Sequence, residues 1–187
     1  MRLAVLDANV LYGAFGRDVL LRLAAAGLYR PRWTARIEAE WVGALLAERP
    51  DLAPERLART CAAMARAFPD AAVSGYEAHE DDLRLPDPDD RHVVAAAVEA
   101  GVGEVVTWNL GDFPAAVLGP FGIEVVDPDA FVGSMFEEDP ARVRSVLRAH
   151  RRGLRRPPLT AGEYLGHLGR AGMTETAASL GRREDDL

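Results

Sequence analysis

Three short apolar runs constrain this chain most: Leu3-Ala4-Val5-Leu6, Val105-Val106 and Ile123-Glu124-Val125-Val126, each bounded by Gly, Asp or Pro. Runs this short read as buried strands rather than helices. Between them lie stretches of helical period, Asp18 to Ala26, Thr34 to Glu48, Pro54 to Phe68 and Asp89 to Ala100. Strands alternating with helices predict an α/β fold, a mainly parallel sheet flanked by helices. In open sheets of that kind the functional crevice lies beyond the C-terminal strand ends. Asp7 and the loop Thr107 to Asp112 emerge there.

After Val126, Asp127 to Met135 reads as one more short helix, capped by Asp127 with Pro128 in its first turn. A first domain over residues 1–135 is expected to close at that point. Glu137-Glu138-Asp139-Pro140 then opens a different composition, and residues 140–187 read as an arginine-rich helical extension. Val143, Val146 and Leu147 form its first apolar stripe, Pro157-Pro158 breaks it, and Leu159 to Leu180 offers two further short helices. The tail Arg182 to Leu187 is expected to fray. Charge divides the same way: residues 1–139 hold 24 acidic and 12 basic residues, residues 140–187 hold 5 and 10. The extension therefore suits an anionic partner, whereas the acidic domain needs cations before it meets a phosphate backbone.

With 187 residues, 49% of them hydrophobic, the chain has ample material for a core. It shows no apolar run of membrane-spanning length and no signal-peptide pattern, which predicts a soluble cytoplasmic protein with no membrane partner. All 22 basic residues are arginine. The absence of lysine excludes a GxxxxGK[ST] phosphate loop, a Schiff-base lysine and the lysine that aspartate-nucleophile phosphatases of the haloacid-dehalogenase type require. A single cysteine, Cys61, rules out an internal disulfide or a cysteine metal cluster and reads as a small core residue.

Four acids stand where a fold would present them. Asp7 ends the first strand, where it suits an N-cap as well as a functional carboxylate, and Asn9 is spaced to orient it. Asp90 shares a helix face with Val94 and Ala97 and so points toward the apolar side, although Asp87 with Pro88 can cap that helix without it. Asp112 lies in the loop after the strand ending at Val106, near Thr107 and Asn109, and could instead cap a following helix. On the Thr34 to Glu48 helix the wheel does not choose between Glu38 and Glu40. Gathered carboxylates repel one another and resist burial unless a divalent cation offsets them. An oxygen-rich site with no neighbouring His or Cys ligand suits Mg²⁺ or Mn²⁺ better than zinc.

Taken together, Leu6-Asp7-Ala8-Asn9-Val10, Glu40-Trp41, Pro86-Asp87-Pro88-Asp89-Asp90-Arg91-His92-Val93 and Thr107-Trp108-Asn109-Leu110-Gly111-Asp112-Phe113-Pro114 resemble the PIN-domain nucleases, and among them the VapC-type bacterial toxins. The resemblance covers residues 1 to about 135 in the family's order. It implies a PIN-like sheet with Asp7, Glu40, Asp90 and Asp112 as metal-binding acids, which selects Glu40 over Glu38, and with Thr107 and Asn109 lining the same site. Asn109 stands where many relatives carry a second aspartate.

On that likeness the expected function is an endoribonuclease dependent on Mg²⁺ or Mn²⁺, leaving a 5′-phosphate and a 3′-hydroxyl, and acting as the toxin of a toxin-antitoxin pair. RNA is the expected substrate, single-stranded or loop RNA above all because unstacked strands can reach a recessed acidic crevice, with a cognate antitoxin an expected partner and a homodimer possible. Arg91 is a candidate to contact a phosphate or, alternatively, a surface ion-pair partner, and His92 is expected to point away from the acids. The arginines from Arg142 to Arg156 either bind RNA or form a solvated helix against the acidic domain. A catalytically silent PIN-like module that binds RNA or protein is the alternative.

Overall fold

A computed structural model describes residues 2–182. Five parallel strands, β1 (Leu3–Leu6), β2 (Arg30–Thr34), β3 (Ala72–Val73), β4 (Glu104–Val106) and β5 (Glu124–Val126), form one sheet in the order β3-β2-β1-β4-β5. The helices are α1 (Ala8–Tyr12), α2 (Ala14–Ala25), α3 (Ala35–Glu48), α4 (Pro54–Ala67), α5 (Arg91–Glu99), α6 (Ala115–Leu118), α7 (Pro128–Glu138), α8 (Pro140–Gly153), α9 (Ala161–Arg170) and α10 (Thr174–Gly181). The α/β class with a parallel sheet flanked by helices is as expected. Among the described residues no helix is long and apolar enough to cross a membrane.

Contacts group the chain into two compact units, Met1–Tyr12 with Tyr29–Val126, and Gly13–Leu28 with Asp127–Leu187. The division thus falls after β5, whereas the change of composition lies at Glu137–Pro140. The helix expected over Asp18 to Ala26 belongs with the C-terminal helices rather than with the sheet that its position between strands suggested. Its stripe of Val19, Leu20 and Leu23 shows only that one face must be buried, not against what.

In the first unit, Leu6 is paired with Val106 across β1 and β4, and Val106 with Val126 across β4 and β5. At the opposite end Arg2 makes two hydrogen bonds of 2.5 Å to the Glu104 carboxylate, stapling β1 to β4. Helix α5 packs over β1, β2 and β4, and Val93 to Ala97 are all fully buried. A helix apolar on every side belongs inside a fold, and its small alanines allow close approach to the sheet. Gly101, with φ of +60°, ends it: Val102 N–H bonds to the Ala97 carbonyl and Gly101 N–H to that of Val98, turning the chain into β4. Leu6 is fully buried at the strand end nearest Asp7. Leu6→Ala is expected to destabilise the unit by about 2–5 kcal/mol, measurable by urea unfolding.

Strand β2 carries Pro31 inside the sheet. Arg30 N–H points to β1, bonding to the Arg2 carbonyl, so the next residue faces β3, where pairing begins only at Trp33. Proline there forfeits no ladder bond. Cys61 is half-buried beside the stripe of Leu57 and Met64 rather than sealed in the core.

The second unit packs α2 with α8 and α9, α7 with α8 and α10, and α9 with α10, around Phe131, Leu147, Tyr164, Leu168 and Leu180. Asp129, buried, accepts the N–H groups of Glu175 and Thr176 at 2.8 Å each and so caps α10 from another helix. His150, also buried, lies between Asp18 (Nε2 to Oδ2, 3.0 Å) and the Tyr164 hydroxyl (2.9 Å from Nδ1). Three of the arginines flagged in the sequence are absorbed structurally: Arg142 bonds to the Ala26 carbonyl, Arg144 to those of Leu180 and Ser179, and Arg151 to that of Leu159. Arg148, Arg152 and Arg155 line an open groove with Ser145, Ala149 and Gly153. The tail beyond Arg182 lies outside the described residues.

Candidate functional site

Strand order reverses between β1 and β4, the position where open parallel sheets leave a crevice. Asp7 and Thr107 are the first residues past the paired Leu6 and Val106 there. Asp7 N–H bonds to the Val106 carbonyl at 3.1 Å, which holds the buried Asp7 side chain at the sheet's edge. The Thr107 hydroxyl donates to Asp7 Oδ2 at 2.7 Å, and Asn9 Nδ2 donates to the same oxygen at 2.8 Å. Thr107 Oγ1 in turn accepts from Asn9 Nδ2 at 2.9 Å and from Asn109 N–H at 3.1 Å, using its donor and both lone pairs. Asp7 Oδ1 takes the Ala8 N–H at 2.6 Å, while the Asp7 carbonyl accepts from Val10 and Leu11 at the start of α1. Asp7 therefore both caps a helix and presents an oriented carboxylate. Burial pushes its carboxyl above the ordinary range, the Thr107 and Ala8 bonds and the His92 charge oppose this, and Glu40 pushes it further up.

Asp90 ends a 3₁₀ turn, Pro88–Asp90, just before α5. Asp87 does the capping there, accepting Asp89 N–H at 2.9 Å, and Asp90 makes no cap bond. Asp90 is half-buried while Asp89 is exposed. Its carboxyl is pushed up to about 6, first by burial and then by the charges of Asp7, Asp87 and Asp112, with His92 opposing. Asp112, half-buried in the 3₁₀ turn Leu110–Asp112, does not cap α6, whose N-terminus has no side-chain bond. Among the described residues none of Asp7, Asp90 and Asp112 has a cationic ion-pair partner within reach.

Glu40 is held differently. Its Oε1 lies 3.1 Å from Arg36 Nε and 3.1 Å from His92 Nε2. Burial pushes the Glu40 carboxyl up, but the His92 bond and charge, together with Arg36, outweigh it and keep it below the ordinary range. Arg36 also donates to the Asp89 carbonyl at 3.1 Å, tying α3 to the turn that carries Asp90. The Glu40 charge acts on Asp7, which separates it from Glu38 on structural grounds.

His92 corrects the expectation that it points away from the acids: it is buried, faces Glu40, and its charge acts on Asp7 and Asp90. The signal was the unbroken apolar run after it. A helix buried all round leaves its early side chains no solvent to point into. If the acids hold a divalent cation, His92→Ala, which deprives Glu40 of its buried partner, is expected to lower Mn²⁺ affinity by about 10–100-fold, readable by calorimetric titration.

The charge of Glu40 thus acts on Asp7, and those of Asp7 and Asp112 act on Asp90, at the C-terminal end of the sheet. Among the described residues, no three His, Cys, Asp or Glu side chains are drawn together closely enough to hold a metal ion as they stand. The donor set is nevertheless oxygen-dominated, and the Asp90 carboxyl is raised first by burial and then by three neighbouring carboxylates, which the His92 charge offsets only in part. Both features fit a hard divalent cation.

Residues 128–182 match a family model described as the VapC50 C-terminal domain, which spans α7 to α10. Over 80 residues, 43% of this chain and 47% of the relative, the chain is 34% identical to a Mycobacterium tuberculosis (strain ATCC 25618 / H37Rv) protein named "Putative ribonuclease VapC50". Over these stretches the chain is similar to VapC-type proteins. The match spans about half the length of that VapC relative. No solved structure matches the chain. The C-terminal likeness and the parallel sheet with acids at its switch point lie in different parts of the chain and agree with one another.

Proposed function

We propose that this chain is a metal-dependent endoribonuclease and the toxin of a toxin-antitoxin pair, with RNA as substrate and a cognate antitoxin as partner. The observation that carries the proposal is the Asp7 carboxylate held by Thr107 and Asn9 at the switch point of the sheet, with the charges of Asp7 and Asp112 acting on Asp90. The name of the relative, a ribonuclease, supports the substrate class.

Asp7, Glu40, Asp90 and Asp112 would hold Mg²⁺ or Mn²⁺. When bound, the cation supplies a water of lowered pKa and offsets charge on a phosphodiester's attacking and leaving oxygens. The chain's own residues do the rest. Thr107 and Asn9 fix the Asp7 carboxylate, Asn109 fixes Thr107 through its N–H, and His92 with Arg36 holds Glu40. Arg91, half-buried at the start of α5 with its Nε lacking a hydrogen-bond partner, is the side chain for a substrate phosphate.

A second reading, a silent RNA- or protein-binding module, is favoured by the acids not closing into a ligand cage among the described residues. Incubating the purified chain with structured RNA in Mg²⁺ or Mn²⁺, with EDTA as control, separates the two. Cleavage that requires the metal supports the nuclease; binding without cleavage over varied RNAs supports the module.

A further inference from the structure

Trp108 and Leu110 are two of the three large hydrophobic side chains left exposed among the described residues, at 39% and 44%. Both lie in the loop between Thr107, which bonds to Asp7, and Asp112. The loop is anchored, since Thr107 and Phe113 at its ends are buried. Trp108 N–H donates to Asn9 Oδ1 at 3.1 Å, Asp112 N–H to the Asn109 carbonyl at 3.1 Å and Phe113 N–H to the Leu110 carbonyl at 3.3 Å. The indole is therefore held out to solvent by a fixed backbone. The same Asn9 side chain that orients Asp7 also holds the Trp108 backbone, so the carboxylate and the residue that bears the indole keep a set relation.

The physical need for such a group follows from charge. Residues 1–139 carry twice as many acidic as basic residues, so this surface gains little from the counterion release that normally drives nucleic-acid affinity. Base stacking on an aromatic face is indifferent to net charge and contributes about 1–3 kcal/mol per base. We infer that Trp108, flanked by Leu110, is a stacking platform for an unpaired nucleobase next to the phosphodiester presented to Asp7, Asp90 and Asp112. The site selects single-stranded RNA by requiring one splayed base. The inference rests on the nuclease proposal.

The test is steady-state cleavage of a single-stranded RNA in Mn²⁺ by the full chain, by Trp108→Ala and by Trp108→Phe. The expected result is a KM raised about 5–150-fold in Trp108→Ala with kcat little changed, and rescue by Trp108→Phe. An abasic scan of the RNA should find one position whose base matters to the unaltered chain and not to Trp108→Ala. An unchanged KM, or abasic penalties that are the same in both proteins, overturns the platform while leaving the nuclease standing. If the unaltered chain cuts no RNA, the nuclease proposal fails by itself, and the platform is read from indole fluorescence during titration with a short oligoadenylate. Trp33 and Trp41 are buried, so quenching reports Trp108. Quenching that disappears in Trp108→Phe supports the platform, and none in the unaltered chain overturns it.

Discussion

Asp90→Asn is expected to make the metal-free protein more stable and the enzyme less active. The Asp90 carboxyl is pushed from its ordinary 3.8 to about 6 by burial and by Asp7, Asp87 and Asp112. A folded-state pKa above the unfolded one means that the neutral group's contribution to stability is complete below about pH 4 and is lost as pH rises through about 6. Near neutral pH the ionised Asp90 therefore weakens the fold. A sealed group shifted this far would cost about 3 kcal/mol, and solvent screening of the half-exposed Asp90 reduces this to about 1 kcal/mol. Asparagine mimics the neutral form, so in EDTA Asp90→Asn should melt a few degrees higher at about pH 7.5 and show no gain at about pH 4. Cleavage in Mn²⁺ should fall by about 10²-fold or more, beyond what removal of an outer partner costs. A lower melting temperature near neutral pH would mean that Asp90 serves the fold instead.

Asp7→Asn should have the largest effect on activity. Asp7 is the most buried of the four acids, and three donors converge on its two oxygens, from Ala8, Asn9 and Thr107. An amide at this position loses the charge and turns its own NH₂ toward one of those donors. The expected result is loss of RNA cleavage by about 10²-fold or more with the fold retained by circular dichroism, because the carboxylate it replaces was itself costly to bury. Turnover within about threefold of the unaltered chain would remove Asp7 from the chemistry.

Much of this site is legible from residue order because parallel sheets put strand ends together. Leu3–Leu6 and Val105-Val106 announce themselves as buried strands, and Asp7 and Thr107 follow directly. Strand β2 is hidden by Arg30-Pro31-Arg32, which reads as a turn until its pairing on only one side at Pro31 is seen. β3, two residues long, carries no periodic signal. Helix α2 is visible as a helix, but an apolar stripe does not name its partner. Glu40 and Glu38 are indistinguishable on a wheel, and the distinction is tertiary, through His92 and Arg36 on one side and the charge felt by Asp7 on the other. His92 was missed because the phase of α5 changes where a 3₁₀ turn precedes it and because nearly every face of α5 is covered.

The most direct test of the proposed metal site is a calorimetric Mn²⁺ titration of the full chain at about pH 7.5 and about pH 5, beside Asp7→Asn. The expected result is saturable binding at the higher pH, weaker by about tenfold at the lower pH as the Asp90 carboxyl takes up a proton, and absent in Asp7→Asn. Binding indifferent to both Asp7→Asn and pH, or RNA cleavage that persists in EDTA, would contradict it.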